Sequence, residues 1–182
     1  MLRYETQAVV IGGGATGCGV LRDLSLRGIK AVLVERRDIA SGATGGNHGL
    51  LHSGARYAAK DPASAKECIG ENRILRGIAR HCIEPTGGLF VSLPGDDPSY
   101  AGTFLDSCRR AGIDCSPLSV KKALRIEPNL SPSITAAIRV PDGAIDPFRL
   151  ASANLLDATE HGGTALLHTE VTGFIMEGNR IA

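Results

Sequence analysis

Two short, wholly apolar runs near the start of the chain, Ala8–Ile11 and Ala31–Val34, are separated by a helix-like segment that ends at Gly28 after Arg27. Runs of four apolar residues without alternation fit strands buried on both faces, so the order strand, helix, strand predicts a parallel βαβ unit. From Asp61, apolar residues at Ile69, Leu75, Ile78, Ala79 and Cys82 predict a core-facing helix with Asp61 as N-cap and Pro62 at its first position. Arg73, Arg76 and Arg80 fall on or near the polar face of that helix and read as solvated. A strand over Leu89–Leu93 follows, then a helix from about Ser99 to Ala111 stopped by Gly112, and a short helix capped by Ser119 running to Arg125. Thr135–Val140 reads as a strand, Pro141–Gly143 as a turn, and Asp146 with Pro147 as the start of a helix ended by Gly162 and Gly163. Ala165–Leu167 reads as another parallel strand, and Val171–Met176 opens an antiparallel hairpin turning at Glu177–Asn179. Its return strand has only Arg180–Ala182, which leaves a half-built sheet edge, so the chain is expected to be truncated.

The first apolar run feeds Gly12, Gly13, Gly14, Ala15, Thr16 and Gly17. Gly12 permits a sharp exit from the strand, Gly14 lets backbone approach a pyrophosphate, and Gly17 lets the helix pack close to the sheet. The phosphates are expected on the helix N-terminus, where unpaired amides and the helix dipole favour an anion. Glu35 ends the second run, where a carboxylate can accept both hydroxyls of a ribose and repel a 2′-phosphate. Leu21 stands where such helices usually carry a smaller residue, which predicts looser packing there. The expected fold class is therefore α/β, a Rossmann-like dinucleotide domain. It is assigned to residues 1–84 and 140–182, with the beginning of an inserted α+β substrate-side domain at 85–139.

Composition narrows the classes. Of the 182 residues, 43% are apolar, enough for a core, and 20 Lys and Arg against 19 Asp and Glu give no global charge that points to nucleic acid. No apolar run reaches the roughly 18–20 residues needed to span a bilayer, and no signal-peptide core precedes the first strand, so a cytoplasmic location is expected. Five cysteines without CxxC spacing read as small packed thiols in a reducing compartment. Cys18, near a helix N-terminus, has a reactive reading, but packing beside the turn is the preferred one. His48 and His52 lack further ligands at metal-site spacing, and no metal is expected.

The loop Ser41–Gly49 is built from small and hydroxylated residues, and it follows Glu35 to the carboxyl edge of the expected sheet. Its backbone amides and the hydroxyls of Ser41 and Thr44 suit phosphate and polyol oxygens. Read with the glycine turn and the Val34-Glu35-Arg36 strand end, the run Ser41–Tyr57 resembles the flavin-dependent glycerol-3-phosphate dehydrogenases, and among them the catalytic A subunits of the anaerobic bacterial enzymes. These belong to the D-amino acid oxidase-like flavoproteins. Ile83–Leu93, Val140–Leu150 and Val171–Gly173 are similar too, so the resemblance covers essentially the whole chain.

The resemblance implies FAD as cofactor, held by Gly12–Gly17 at the pyrophosphate and by Glu35 and Arg36 at the ribose. Ser41, Gly42, Thr44, Gly45, His48, Gly49 and Leu50 would line the pyrophosphate, ribityl chain and flavin edge. It places Arg56 and Tyr57 toward the substrate, where an Arg fork complements a phosphate and a phenol a hydroxyl. Gly46 departs from the family, which commonly has a larger polar residue there. The implied reaction is oxidation of sn-glycerol 3-phosphate to dihydroxyacetone phosphate by hydride transfer to FAD. Electrons would then leave to partner subunits and a quinone in anaerobic respiration, with membrane association through those partners. No residue qualifies as the catalytic base on motif grounds. Other readings are an amine or 2-hydroxy acid oxidase of the same superfamily, a non-catalytic FAD-binding module, and an NAD-binding domain, against which the Ser41–Gly49 loop argues.

Overall fold

The computed structural model describes residues 3–181. In chain order its elements are β1 (Ala8–Ile11), α1 (Ala15–Leu26), β2 (Ala31–Val34), β3 (Leu50–Leu51), α2 (Pro62–Ile78) and β4 (Ile83–Glu84). They continue with β5 (Gly88–Ser92), α3 (Tyr100–Ala111), β6 (Ser116–Leu118), α4 (Val120–Ile126) and β7 (Ala136–Val140). The last are β8 (Gly143–Ile145), α5 (Pro147–Glu160), β9 (Thr164–Leu166), β10 (Met176–Glu177) and β11 (Arg180–Ile181). Packing divides the chain into one unit of residues 1–48 and 146–182 and a second of residues 49–145. The packing boundary thus groups residues 49–84 with the second unit, whereas the expected division by function falls at residue 85.

In the first unit β1, β2 and β9 form a parallel sheet in the order β1-β2-β9, with Val9 opposite Val32 and Leu33 opposite Ala165. This is the βαβ unit expected from the apolar runs. Gly28 (φ +72°) follows α1 and takes the left-handed conformation that turns the chain back toward β2. The core joins Cys18 and Leu21 of α1 to Ala31 and Leu33 of β2 and to Ala151 and Ala158 of α5. Leu21 is fully buried in this cluster. The alanines of α5 in the same cluster leave the room that a smaller residue on α1 would otherwise have left. An ion pair between Arg22 Nε and Asp157 Oδ2 ties the two helices together. α5 starts where Asp146 accepts from the amides of Phe148 and Arg149, both at 3.0 Å, and Pro147 occupies the first turn.

The second unit contains two antiparallel sheets, β5-β7-β6 and β3-β8-β4. Pro117 lies in β6, an edge strand, where a missing amide is tolerated. Its core gathers Ile69 of α2, Phe104 and Cys108 of α3 and Ile138 and Val140 of β7. β3, β4, β6 and β8 have two or three residues each, too few for an alternation to show, and Gly143 of β8 reads from sequence as part of a turn. The hairpin near the end is shorter than expected: only Met176–Glu177 pairs with Arg180–Ile181, and residues 171–175 are not a strand.

One arginine assigned to solvent is drawn in. Arg76 Nε donates to Asn72 Oδ1 at 2.8 Å, and Nη2 donates to the carbonyls of Asp142 at 2.8 Å and Pro141 at 3.1 Å. Asn72, 2% exposed, in turn donates to the carbonyls of Leu51 and His52, both at 3.3 Å. The Asp142 carbonyl also accepts from Gly87 N at 3.1 Å, so the forked donor on α2 adds a second bond there and the side-chain bond at Pro141.

Candidate functional site

Gly12 leaves β1 with φ +106°, a conformation that L side chains rarely adopt, and its amide donates to Val34 O at 2.9 Å. α1 then begins at Ala15 with extended Gly14 as its N-cap and no side-chain cap from that residue. The acceptor comes from the loop instead: Ala15 N donates to Thr44 Oγ1 at 3.0 Å. The other first-turn amides, of Thr16 and Gly17, have no acceptor earlier in the helix. A Cβ on Gly13 would sit 3.1 Å from Glu35 Cβ and Cγ, and one on Gly14 would sit 3.0 Å from Thr44 Oγ1. On Gly17 it would overlap the carbonyl oxygen of Gly12. The three positions are therefore glycine because neighbouring groups occupy the space, which leaves a turn of bare backbone at the helix N-terminus.

Glu35 closes this turn. Its Oε2 accepts from Gly13 N and its Oε1 from Arg37 N, each at 2.7 Å. The amides of Gly13 and then Arg37 hold the carboxyl below its ordinary pKa, so it stays ionised. A carboxylate has about four lone-pair sites, so acceptor capacity remains for two ribose hydroxyls. Beside it is a cavity of about 290 Å³ whose walls include Ile11, Gly12, Val34, Glu35, Arg36 and Val171. Val171 reaches this wall because the chain after β9 runs along the 35–37 segment, with Thr169 N donating to Glu35 O at 2.8 Å and His168 N to Arg37 O at 3.1 Å.

The Ser41–His48 loop is a series of turns, in which Gly45 N and Gly46 N both donate to Gly42 O, at 3.1 and 3.2 Å. Ser41, Gly42 and His48 are exposed, while Thr44 turns inward to α1. A Cβ on Gly45 would run into the Ala40 carbonyl and lie 3.0 Å from the Phe148 ring, whereas one on Gly46 would meet nothing closer than 3.8 Å. Packing therefore does not impose the departure at Gly46. Burial first, and then the charge of Glu35, push the Cys18 thiol up, which favours the packing reading of this cysteine.

The remaining predicted residues lie in the second unit. Gly49 (φ +66°) precedes β3, which begins with exposed Leu50. Gly54 (φ +84°) opens the 3₁₀ turn Ala55–Tyr57, and a Cβ there would be 2.7 Å from the Ala65 carbonyl and 2.8 Å from Cys68 Cβ. Only glycine lets this turn lie against α2. The exposed Arg56 guanidinium sits 5.2 Å above the Tyr57 ring, and His52 meets the same ring edge-on at 5.9 Å. Among the described residues, His52 Nδ1 and the hydroxyl of fully buried Ser53 have no hydrogen-bond partner. Sequence reasoning does not single out either one for this cluster, because a buried unpaired atom leaves no pattern along the chain. Among the described residues, no group of three or more His, Cys, Asp and Glu could hold a metal ion. No helix among them is long and apolar enough to cross a membrane.

Comparison with known proteins identifies the family. The model of the family described as FAD dependent oxidoreductase matches residues 7–182. The chain is 57% identical over 174 residues to the A subunit of the anaerobic glycerol-3-phosphate dehydrogenase of Escherichia coli strain K12, covering 96% of the chain and 32% of that protein. It is 51% identical over 180 residues to the A1 subunit of the Haloferax volcanii enzyme, covering 99% of the chain and 31% of that protein. The chain thus spans about a third of the length of the relatives it matches. Among solved structures, the L-proline dehydrogenase of P. horikoshii superposes with a TM-score of 0.81 at 29% identity, over 99% of this chain and 48% of that one.

Proposed function

Because the chain belongs to the FAD-dependent oxidoreductase family, we propose that it is the N-terminal, cofactor-binding part of a dehydrogenase that oxidises sn-glycerol 3-phosphate to dihydroxyacetone phosphate. The observation that carries the substrate is the 57% identity to a glycerol-3-phosphate dehydrogenase over nearly the whole chain. The residues fit FAD: a glycine turn at a helix N-terminus, too close to Glu35, Thr44 and its own backbone for a Cβ at Gly13, Gly14 or Gly17, lies beside a carboxylate held ionised by backbone amides. When bound, FAD supplies the acceptor for the hydride that leaves the carbinol carbon.

In this reading Gly12–Gly17 hold the pyrophosphate, with the amides of Thr16 and Gly17 as donors. Glu35 binds the ribose and Arg36 flanks it. Ser41, Gly42, Thr44, Gly45, His48, Gly49 and Leu50 border the rest of the dinucleotide. Arg56 takes the substrate phosphate and Tyr57 orients a hydroxyl. Residues 1–84 and 140–182 serve the cofactor and 85–139 the substrate side. Electrons pass to partner subunits and on to a quinone, and those partners bring the enzyme to the cytoplasmic face of the membrane.

The likeness to L-proline dehydrogenase favours a second reading, oxidation of an amine such as an imino acid. Turnover with an artificial electron acceptor separates the two, using the enzyme at its relatives' full length. Glycerol phosphate is expected to be oxidised and proline not, and Arg56→Gln is expected to raise KM for glycerol phosphate about tenfold with a smaller change in kcat. Oxidation of proline alone, or an unchanged KM in the variant, would overturn the assignment.

A further inference from the structure

Within the second unit lies a cavity of about 370 Å³ between the C-terminal half of α2 and the end of β7. It includes neither Arg56 nor Tyr57, and the function proposed above makes no use of it. Three arginines, Arg73, Arg76 and Arg139, line it together with Asp114, Ser116 and Asp142. A guanidinium carries five N–H donors. Arg76 is fixed from behind by Asn72 Oδ1 and the carbonyls of residues 141 and 142, which leaves its Nη1 end unspent. Arg73 spends one donor, from Nη2 to Gly112 O at 2.6 Å. Arg139 makes no side-chain hydrogen bond or ion pair among the described residues. Its guanidinium lies over Gly87, where a Cβ would be 3.2 Å from Nε, so a bare backbone at that position is what accommodates it.

The carboxylates do not cancel this surplus. Asp142, 7% exposed, turns Oδ1 inward to accept from Ser53 N at 2.7 Å. Asp114 is exposed at the rim. Three guanidinia against two carboxylates leave a formal charge of +1 on the wall, and one of those carboxylates already serves the protein. Two guanidinia anchored by part of their donors, Arg76 and Arg73, and a third without a side-chain partner among the described residues, Arg139, leave several N–H groups for a ligand with more than two charged oxygens. We propose that this cavity is a binding site for a phosphate-class oxyanion, free or as a small monoester, separate from the dinucleotide cradle.

The test is a titration of the ¹⁵N-labelled chain with inorganic phosphate at constant ionic strength, reading the arginine Nε–H and backbone amide resonances. Acetate and chloride serve as comparison anions. Saturable shifts are expected at Arg76 and Arg139 and at the amides of Gly87 and Gly143, half-complete at roughly millimolar phosphate. Arg139→Gln and Arg73→Gln, both at exposed positions, are expected to weaken that response about tenfold or more while leaving other resonances in place. Phosphate shifts confined to Gly13–Gly17 would place binding at the dinucleotide cradle and overturn the proposal. An equal response to acetate, or one unchanged in both variants, would do the same. Because the readout is at α2 and β7, failure here leaves the flavin reading untouched, and loss of flavin binding leaves this site untouched.

Discussion

Replacing Gly17 by alanine is expected to lower the stability of the chain by about 2–3 kcal/mol, read from its thermal or urea unfolding midpoint. The added Cβ would overlap the Gly12 carbonyl oxygen and stand 3.1 Å from that residue's carbonyl carbon. Those atoms belong to the backbone of the turn, so no rotamer change can relieve the contact. Either α1 moves away from β1 or the Gly12 peptide rotates, and Gly12 already has a φ of +106°. Moving α1 would disturb Cys18 and Leu21, both fully buried against the sheet and α5. Gly19→Ala is the natural control, since it lies in the same helix and a Cβ there meets nothing within 4 Å. It is expected to match or slightly exceed the parent chain in stability, because alanine favours a helix. Equal midpoints for the parent and Gly17→Ala would mean that α1 does not pack as described.

Glu35→Ala is expected to weaken FAD binding roughly ten- to a hundredfold, measured by flavin titration of the variant beside the parent. The loss has two sources. The ribose loses a charged acceptor, and the amides of Gly13 and Arg37 lose theirs, so the cradle itself loosens. Glu35→Gln keeps one acceptor oxygen for the two amides, loses the charge and sets an NH2 against the other N–H, so its affinity is expected to fall between those of the parent and Glu35→Ala. The pH dependence follows from the same bonds. The two amides lower the native pKa of Glu35, chiefly that of Gly13, so ionised Glu35 contributes stability above the pKa it has in the unfolded chain. That contribution falls away as pH drops through the lowered native value, and the stability gap between parent and Glu35→Gln should narrow there. A gap that widens on acidification would contradict the role of these amides.

The βαβ unit is legible because its signals are local and chemically compelled. Apolar runs without alternation, a glycine, Gly17, where a Cβ would strike backbone, and an acid at the strand end all stand within Ala8–Glu35. The helices beginning at Asp61 and Asp146 are legible through an acid and a proline in succession, and the structure has both carboxylates accepting first-turn amides. Other features depend on residues far apart in sequence. Thr44 capping α1 from a loop, Val171 reaching the wall beside Glu35, and Asp142 accepting from Ser53 have no periodicity to announce them. The inward turn of Arg76 escapes the sequence for a related reason. Its polar position on α2 is plain, but the carbonyls that attract it come from just beyond the end of β7, 65 and 66 residues away.

The central claim is that the glycine turn, Glu35 and the following loop form an FAD cradle. The most direct test is to titrate the ¹⁵N-labelled chain with FAD and follow backbone amides, a readout that registers weak binding as well as tight. The account predicts saturable shifts at Gly12–Gly17, at Glu35–Arg37 and along Ser41–Leu50, reduced in Glu35→Ala. Absence of shifts at those amides at saturating FAD, or shifts that the Glu35→Ala substitution leaves unchanged, would contradict it.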